Sequence, residues 1–287
     1  MWDRLKQKVW QWRGVLVGVP SVTAVVIGVR FLGLLQPLEF PVLDQFFLLR
    51  SREPTDPRIV IVEVNEADVQ KLGKWPMTDA KLASVLQTIN RQQPVAIGLD
   101  LYRDLPVEPG HAELVKLFQT IPNMIGVQKV AGSVDSSPVA PPPVLKQRDL
   151  VGANDLPLDA DGKVRRGLLY LEDQTGENVF SFAFTLAAAY LQTKEIQPEL
   201  TADEQIKLGK AVFPALSPND GGYVRTQAEG YQMMINYRGE IDCFHRINLT
   251  DVLENRIPPD LMRDRIVLIG ATAESLKDLF YVPYSSS

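Results

Sequence analysis

The longest apolar run in the chain extends from Gly14 to Leu35 and reads GVLVGVPSVTAVVIGVRFLGLL. As a helix rising about 1.5 Å per residue, it is long enough to cross a hydrocarbon core of about 30 Å. Arg30 is its only charge and lies near one end, where a long side chain can extend to the lipid headgroups. The run predicts a membrane anchor whose residues include Gly14, Val15, Val25, Val26, Ile27 and Leu35.

The segment before the anchor, residues 1–13, is basic and predicts the orientation of the chain. It carries Arg4, Lys6, Lys8 and Arg13 against the single acid Asp3. Positive charge stays on the cytoplasmic side of a membrane span. We therefore expect a cytoplasmic leader, a single pass through the inner (plasma) membrane, and an extracytoplasmic position for the residues after Leu35.

Two alternatives to an uncleaved anchor are a cleaved signal peptide and a buried core helix. No small-x-small cleavage site follows the run, and the run is longer than the apolar part of most signal peptides. A core helix normally carries a polar face, and this run has none before Arg30. The pattern favours the uncleaved anchor.

The segment 36–57 is predicted to be juxtamembrane. Its first part is rich in apolar residues, which suggests that it packs on the following domain or on a second copy of the chain. Its last part, from Arg50 to Pro57, is polar and contains two prolines, as a joint between two elements does.

The rest of the chain, 58–287, alternates strand and helix patterns. RIVIVEVN from Arg58 and VAIGLDL from Val95 are continuous apolar runs, which is typical of strands covered on both faces. Between them, apolar positions at helical spacing follow the N-cap candidate Thr78. This order predicts a right-handed βαβ unit. Further strands are predicted at 123–130, 150–153, 164–171 and 265–270, and further helices at 66–73, 114–121, 180–192 and 249–253.

The whole pattern predicts an α/β fold with a mixed, largely parallel sheet flanked by helices, preceded by one transmembrane helix. Thr201 and Glu204 begin like a capping box, which indicates a short helix over 201–208. Several strands are expected between Ala211 and Arg238, and the strongest of them is MMINY.

The charge and the cysteine content limit which macromolecules, metals and cofactors we expect the protein to bind. The chain has a net charge of −5, and removing the +3 of the leader and the charge of Arg30 leaves −9 for the residues after Leu35. This balance excludes nucleic acid and argues against attraction to an anionic membrane surface. Cys243 is the single cysteine and neither histidine has a ligand partner at zinc spacing, so we expect no metal and no cofactor.

Polar residues that follow the predicted strands are the candidates for a ligand pocket. In open α/β sheets, ligands bind beyond the carboxyl ends of the strands. The alternative is that such residues cap helices and satisfy the backbone of loops, and Arg238 suits a structural ion pair better than a contact with a ligand carboxylate. The candidates are Asn65, Glu66, Asp100, Tyr102, Arg238 and Thr272.

Enzyme motifs are absent from the sequence. It contains no G-x-S-x-G, Walker or G-x-G-x-x-G pattern. Asp100 and Asp104 flank Tyr102 after a predicted strand and leave open a metal-dependent hydrolase, although their spacing differs from that of the dehalogenase-type phosphatases. We expect no catalytic residues.

Several of these segments together resemble one family, the second class of CHASE (cyclases/histidine kinases associated sensory extracellular) sensor domains. In order, they are DPRIVIVEVNEADVQKLGKWPMTDAKLASVLQTI, PVAIGLDLYRD, LPLDADGKVRRGLLY, MMINYRG and RIVLIGATAESLKDLFYVPYS. The resemblance covers the chain from about Phe40 to Tyr284.

The resemblance implies an α/β extracytoplasmic input module of a bacterial signalling protein, commonly cyanobacterial or proteobacterial. Such modules follow a transmembrane helix and pass an unknown extracellular stimulus to a cytoplasmic effector, a kinase or a nucleotide cyclase. It also implies a homodimer. The family normally continues beyond the position of Ser287, so the effector and the last part of the domain are expected outside this sequence. A metal-dependent hydrolase and a ligand-free envelope scaffold are the alternatives.

Overall fold

The computed structural model describes residues 2–130 and 137–285, and it divides into two compact units. The smaller unit, which we call the N-terminal helical unit, contains residues 2–49 and the segment Ser217–Ala228. The larger, α/β unit contains the remaining described residues from Arg50 onward. Met1, the first residue of the predicted leader, and Ser286 and Ser287, the last residues of the predicted sensor domain, lie outside the described residues.

The N-terminal helical unit is built on two helices joined by a turn. Helix α1, Trp2–Phe31, contains the one stretch of the described chain that is long and apolar enough to span a membrane, Trp12–Phe31. The predicted anchor continued to Leu35, but residues 32–35 form a turn in which Gly33 has a φ of +80°. Glycine adopts this conformation without a steric penalty, and helix α2, Gln36–Leu48, begins directly after it.

Arg30 has a protein partner in this unit. Its Nε lies 3.0 Å from Oε1 of Glu39 in α2, and its guanidinium also donates to the carbonyl oxygen of Gly221. The ring of Phe40 packs on that of Tyr223, with the centroids 5.1 Å apart. The segment Ser217–Ala228 thus packs against the end of α1 and one face of α2.

The α/β unit contains a six-stranded sheet in the order β11-β1-β12-β2-β3-β4, in which every neighbouring pair is parallel. This confirms the predicted α/β fold and its largely parallel sheet. Its strands are β1 Asp56–Val64, β2 Ala96–Asp100, β3 Met124–Gln128, β4 Val151–Ala153, β11 Phe244–Asn248 and β12 Ile266–Ala271.

Helices cover both faces of this sheet. On one face, the stripe of α4 at Leu82, Val85, Leu86 and Ile89 is fully buried, as its spacing predicted. Five helices contribute to this side: α3 Glu66–Leu72, α4 Asp79–Arg91, α5 His111–Thr120, α6 Pro143–Gln147 and α8 Leu249–Leu253.

The other face of the sheet is covered by α7, Phe182–Gln192. A Cβ atom at Gly98 in β2 would lie 2.7 Å from Cζ of Phe182, so a larger residue there would require the Phe182 side chain to shift. The prediction started the helix at Phe180. It begins at Phe182 instead, because the Ser181 side chain caps it by accepting from the backbone N–H of Phe184.

Two further sheets are antiparallel and have three strands each, in the orders β10-β5-β6 and β7-β8-β9. Their strands are β5 Arg166–Glu172, β6 Asn178–Phe180, β7 Pro198–Leu200, β8 Ile206–Leu208, β9 Ala211–Phe213 and β10 Tyr231–Met234. The predicted MMINY strand therefore ends at Met234, and Asn236 and Tyr237 lie outside it.

The prediction of a short helix over 201–208 is wrong. The hydroxyl of Thr201 accepts from the backbone N–H of Gln205, and Glu204 has a φ of +58°, so residues 201–205 form the turn between β7 and β8, and residues 206–208 are β8 itself. The same Thr and Glu that resemble a capping box also suit a hairpin turn. Strand β11 was not predicted, because FHRIN has neither a continuous apolar run nor a clean alternation.

Candidate functional site

Three polar side chains form a chain of hydrogen bonds at the carboxyl edge of the parallel sheet. Asp100 ends β2, Asn154 directly follows β4, and Tyr102 lies in the loop after β2. The hydroxyl of Tyr102 donates to Oδ1 of Asn154 at 2.9 Å, and Nδ2 of Asn154 donates to Oδ1 of Asp100 at 3.3 Å. We call these three residues the edge cluster.

The charged form of Asp100 is poorly compensated in this environment. Burial raises the pKa of Asp100, the amide of Asn154 opposes that rise, and the nearby carboxylate of Asp278 adds to it. Burial also raises the pKa values of Tyr102 and of Asp278. Among the described residues, Asn154 is the one side chain that donates a hydrogen bond to the Asp100 carboxyl group, which retains capacity for another donor.

Thr272, another candidate, lies at the same edge and contacts a second polar pair. Its hydroxyl donates to Oε2 of Glu63 at 3.2 Å, and Glu63 is ion-paired with Arg246 of β11. The backbone N–H of Thr272 donates to the carbonyl of Val64 at 3.0 Å, which joins the end of β12 to that of β1. Thr272 is thus held in place by both its side chain and its backbone.

Asn65 and Glu66 are committed to structure by their contacts. Asn65 caps α3 in a reciprocal capping box with Asp68, and its amide donates to Oδ1 of Asn248 at 2.8 Å. The carboxylate of Glu66 accepts from the backbone N–H and the hydroxyl of Ser275, at 2.9 and 3.0 Å. These contacts match the alternative that the sequence left open, in which such residues cap helices and order loops.

Arg238 lies at the opposite end of β1 from Asn65. Its Nη1 is 3.1 Å from Oε2 of Glu53 and 3.5 Å from Oδ2 of Asp56, the first residue of β1. Arg58 also binds Asp56, and the hydrogen bond from its side chain is the largest reason that the pKa of Asp56 falls to about 2. Arg238 is therefore part of an ion-pair cluster at the amino edge and is separate from the edge cluster.

A second buried charge cluster lies in the LDADGKVRRG segment. The side chain of Arg165 is fully buried and lies 2.9 Å from Oδ2 of Asp159 and 2.7 Å from Oδ2 of Asp161. Nε of Arg166 lies 2.8 Å from the other oxygen of Asp159, and its Nη1 donates to Gln232 at 2.7 Å. Here each charge is neutralised inside the protein, so we call these residues the arginine cluster.

The hydrolase alternative has no further support in this geometry. Asp104 is exposed in the loop after β2. Within residues 2–130 and 137–285, no group of three or more His, Cys, Asp or Glu side chains is arranged to hold a metal ion.

Sequence reasoning missed two members of this edge, Asn154 and Asp278. The carboxyl-end rule could have found Asn154, because it directly follows the strand predicted at 150–153. Asp278 follows a short 3-10 turn in an irregular segment, and no local pattern places it near Asp100.

Comparison with protein families gives one match. The family model for the CHASE2 domain matches residues 21–287, which is nearly the whole chain after the leader. No curated protein and no solved structure matches the chain.

Proposed function

Because the chain belongs to the CHASE2 domain family, whose members are sensory extracellular domains of signalling proteins, we propose that it is a membrane-anchored input module. In this proposal α1 crosses the inner (plasma) membrane once, and the α/β unit lies on the extracytoplasmic side. A cytoplasmic kinase or nucleotide cyclase, outside this sequence, receives the signal. The module itself carries no catalytic site.

The observation that carries the proposal is the stretch Trp12–Phe31. It is 20 residues long, and none of its apolar window is buried inside the protein. Because exposing that much apolar surface to water is unfavourable, lipid is the environment that suits it. The basic residues before it suit a cytoplasmic N-terminus.

Topology reporters test this proposal. Alkaline phosphatase, which is active outside the cytoplasm, and a fluorescent protein that folds only in the cytoplasm are fused separately after Ser287. We expect phosphatase activity without fluorescence. Fluorescence without phosphatase activity would place the α/β unit in the cytoplasm and contradict the proposal of an extracytoplasmic sensor. Release of the fusion protein from the membrane would indicate a cleaved signal peptide.

The edge cluster is our proposed ligand site, with Asp100, Tyr102 and Asn154 as its polar groups and Thr272 at its margin. The hydrogen bonds run from Tyr102 through Asn154 to Asp100, so the polarised chain ends on a carboxyl group with capacity for another donor. A ligand that carries an amine or a hydroxyl group could donate a hydrogen bond to the Asp100 carboxylate and so compensate its charge. Asn65, Glu66 and Arg238 act as structural residues in this proposal.

A thermal-unfolding screen with small amines and polyols tests the site, because a ligand that binds the folded state raises its stability. The control is Asp100→Asn, which keeps the shape of the side chain and removes its charge. We expect a rise in Tm in the wild-type chain that is lost in the variant. An equal rise in both would place the ligand elsewhere, and no rise with any compound would favour the ligand-free scaffold.

A ligand transmits a signal only if it binds two arrangements of the module with different affinities. We propose that these arrangements belong to a homodimer, as the family resemblance implies. Analytical ultracentrifugation of the detergent-solubilised chain tests this step, and a monomer at every concentration would contradict it.

A further inference from the structure

The exposed face of α2 has an unusual composition. Leu38, Val42, Phe46 and Leu49 follow one another at intervals of four, four and three residues, so they lie on one side of the helix. They are 67%, 54%, 62% and 79% exposed, respectively. Exposed Pro41 and Gln45 complete this side, which we call the outer face.

The charges of α2 lie on its other side. Asp44 is buried, and Glu39 is paired with Arg30. That side also contains Phe40, which packs on Tyr223 of the segment Ser217–Ala228. Between Gln36 and Leu49, all of which the structure describes, no charged residue belongs to the outer face. A helix in water would have the opposite arrangement, with its acids outside and its large apolar side chains covered.

We propose that α2 is an interfacial helix whose outer face is inserted into the boundary between the lipid headgroups and the acyl chains. The inference rests on the proposed membrane anchor, because α2 begins after a turn of four residues, 32–35, that follows the span. Such a turn reaches at most about 13 Å, so the start of α2 stays near the membrane surface. Exposed Leu32 and Leu34 in the turn continue the apolar surface from α1 to α2.

The contacts of Arg30 and Glu39 support this position. An ion pair between the end of the span and the first turns of α2 removes two charges that would otherwise oppose burial near the acyl chains. Insertion of the outer face would then depend on apolar burial and not on anionic lipid. This agrees with the net negative charge of the residues after Leu35.

A second copy of the chain is a less suitable occupant of the outer face. A specific protein interface uses about 20–30 residues from each partner, and the outer face offers six. An interfacial helix needs only a row of apolar side chains along its length, which for the 13 residues of α2 is about 20 Å.

Site-directed spin labelling of the full chain in lipid vesicles tests the inference. Nitroxides are attached at Val42→Cys and, separately, at Phe46→Cys. Val22→Cys in the span and Gln174→Cys in an exposed turn of the α/β unit are the matched controls. The native Cys243 is buried, and the wild-type chain measures any labelling there. The probes are oxygen, which partitions into lipid, and a water-soluble nickel complex, in vesicles of phosphatidylcholine with and without phosphatidylglycerol.

We expect a ratio of oxygen to nickel accessibility at positions 42 and 46 that is severalfold higher than at position 174 and lower than at position 22. The ratio should not depend on the phosphatidylglycerol content. Values at 42 and 46 equal to that at 174 would place the outer face in water and overturn the inference while the anchor stands.

Low accessibility to both probes, together with dipolar broadening between labels on different chains, would show that a second copy covers the outer face, and this too would overturn the inference. A value at position 22 equal to that at 174 would overturn the membrane anchor itself. The two labelled positions in α2 guard against a local effect of either substitution, and circular dichroism checks that each variant is folded.

Discussion

The edge cluster and the arginine cluster place aspartates in opposite environments. Asp159 is buried against two guanidinium groups, with Arg165 and Arg166 each within 3 Å of one of its oxygens. Asp100 receives one amide hydrogen bond of 3.3 Å, and the carboxylate of Asp278 adds to the rise that burial causes in its pKa. The comparison teaches that burial of charge does not by itself indicate a ligand site. A candidate ligand site is indicated when a charged group is buried without an opposite charge or enough hydrogen-bond donors around it.

The first test of this comparison, with the largest expected effect, is Arg165→Leu. The substitution leaves Asp161 without its main partner and Asp159 with only one arginine. Removing one member of a buried ion pair costs about 3–5 kcal/mol. We expect a loss of that order in the free energy of unfolding, measured by denaturant titration of the detergent-solubilised chain with circular dichroism. Arg263→Leu, at an exposed pair with Asp260, is the control and should cost less than about 1 kcal/mol.

We expect Asp100→Asn to change the free energy of unfolding in the opposite direction, so that the fold becomes more stable. The uncompensated carboxylate destabilises the fold at neutral pH, so its removal should raise the free energy of unfolding by about 1–2 kcal/mol. A loss of stability in Asp100→Asn as large as that in Arg165→Leu would contradict the distinction between the two clusters.

The pH dependence sharpens this prediction. Because the pKa of Asp100 is raised in the fold, the folded state binds its proton more tightly than the unfolded chain does. The free energy of unfolding should therefore decrease as the pH rises from about 3.8, the ordinary value, through the raised pKa. In Asp100→Asn this decrease should be absent, as unfolding titrations at a series of pH values would reveal.

Asp56 offers an intermediate case. It is buried, but its partner Arg58 is half-exposed, so solvent screens the pair and we expect Arg58→Ala to cost only about 1 kcal/mol at neutral pH. The pKa of Asp56 is lowered from 3.8 to about 2. Its stabilisation is therefore present above about pH 4 and is lost as the pH falls towards 2. In acid unfolding curves, the loss of stability over this pH range should be smaller in Arg58→Ala than in the wild-type chain, whereas Arg263→Ala should leave it unchanged.

The smallest expected effect is that of Tyr102→Phe. The variant loses one hydrogen bond, to Asn154, at a side chain that is 39% exposed, so the cost in unfolding free energy should stay below about 1 kcal/mol. If the edge cluster binds a ligand, this variant should weaken the ligand-induced rise in Tm far more than it lowers the Tm of the free protein. Equal effects on both would indicate a purely structural hydroxyl.

The sequence by itself determined the features that depend on neighbouring residues. The continuous apolar runs at Arg58–Asn65 and Val95–Leu101 indicated buried parallel strands, because strands covered on both faces need apolar side chains at every position. The stripe in α4 and the N-cap Thr78 fixed a helix between them. The candidate membrane span and the α/β class followed from such local patterns, and the family resemblance followed from several such segments in a fixed order along the chain.

Only the tertiary structure decided which of the candidate polar residues make structural contacts. Asn65 and Arg238 looked as suitable as Asp100 in the sequence, and their structural contacts, with Asn248 and with Glu53, come from residues more than 180 positions away. The segment Ser217–Ala228 likewise joins the N-terminal helical unit across a similar separation in sequence. Local propensity carries no information about such contacts, since they depend on how packing brings separate elements together.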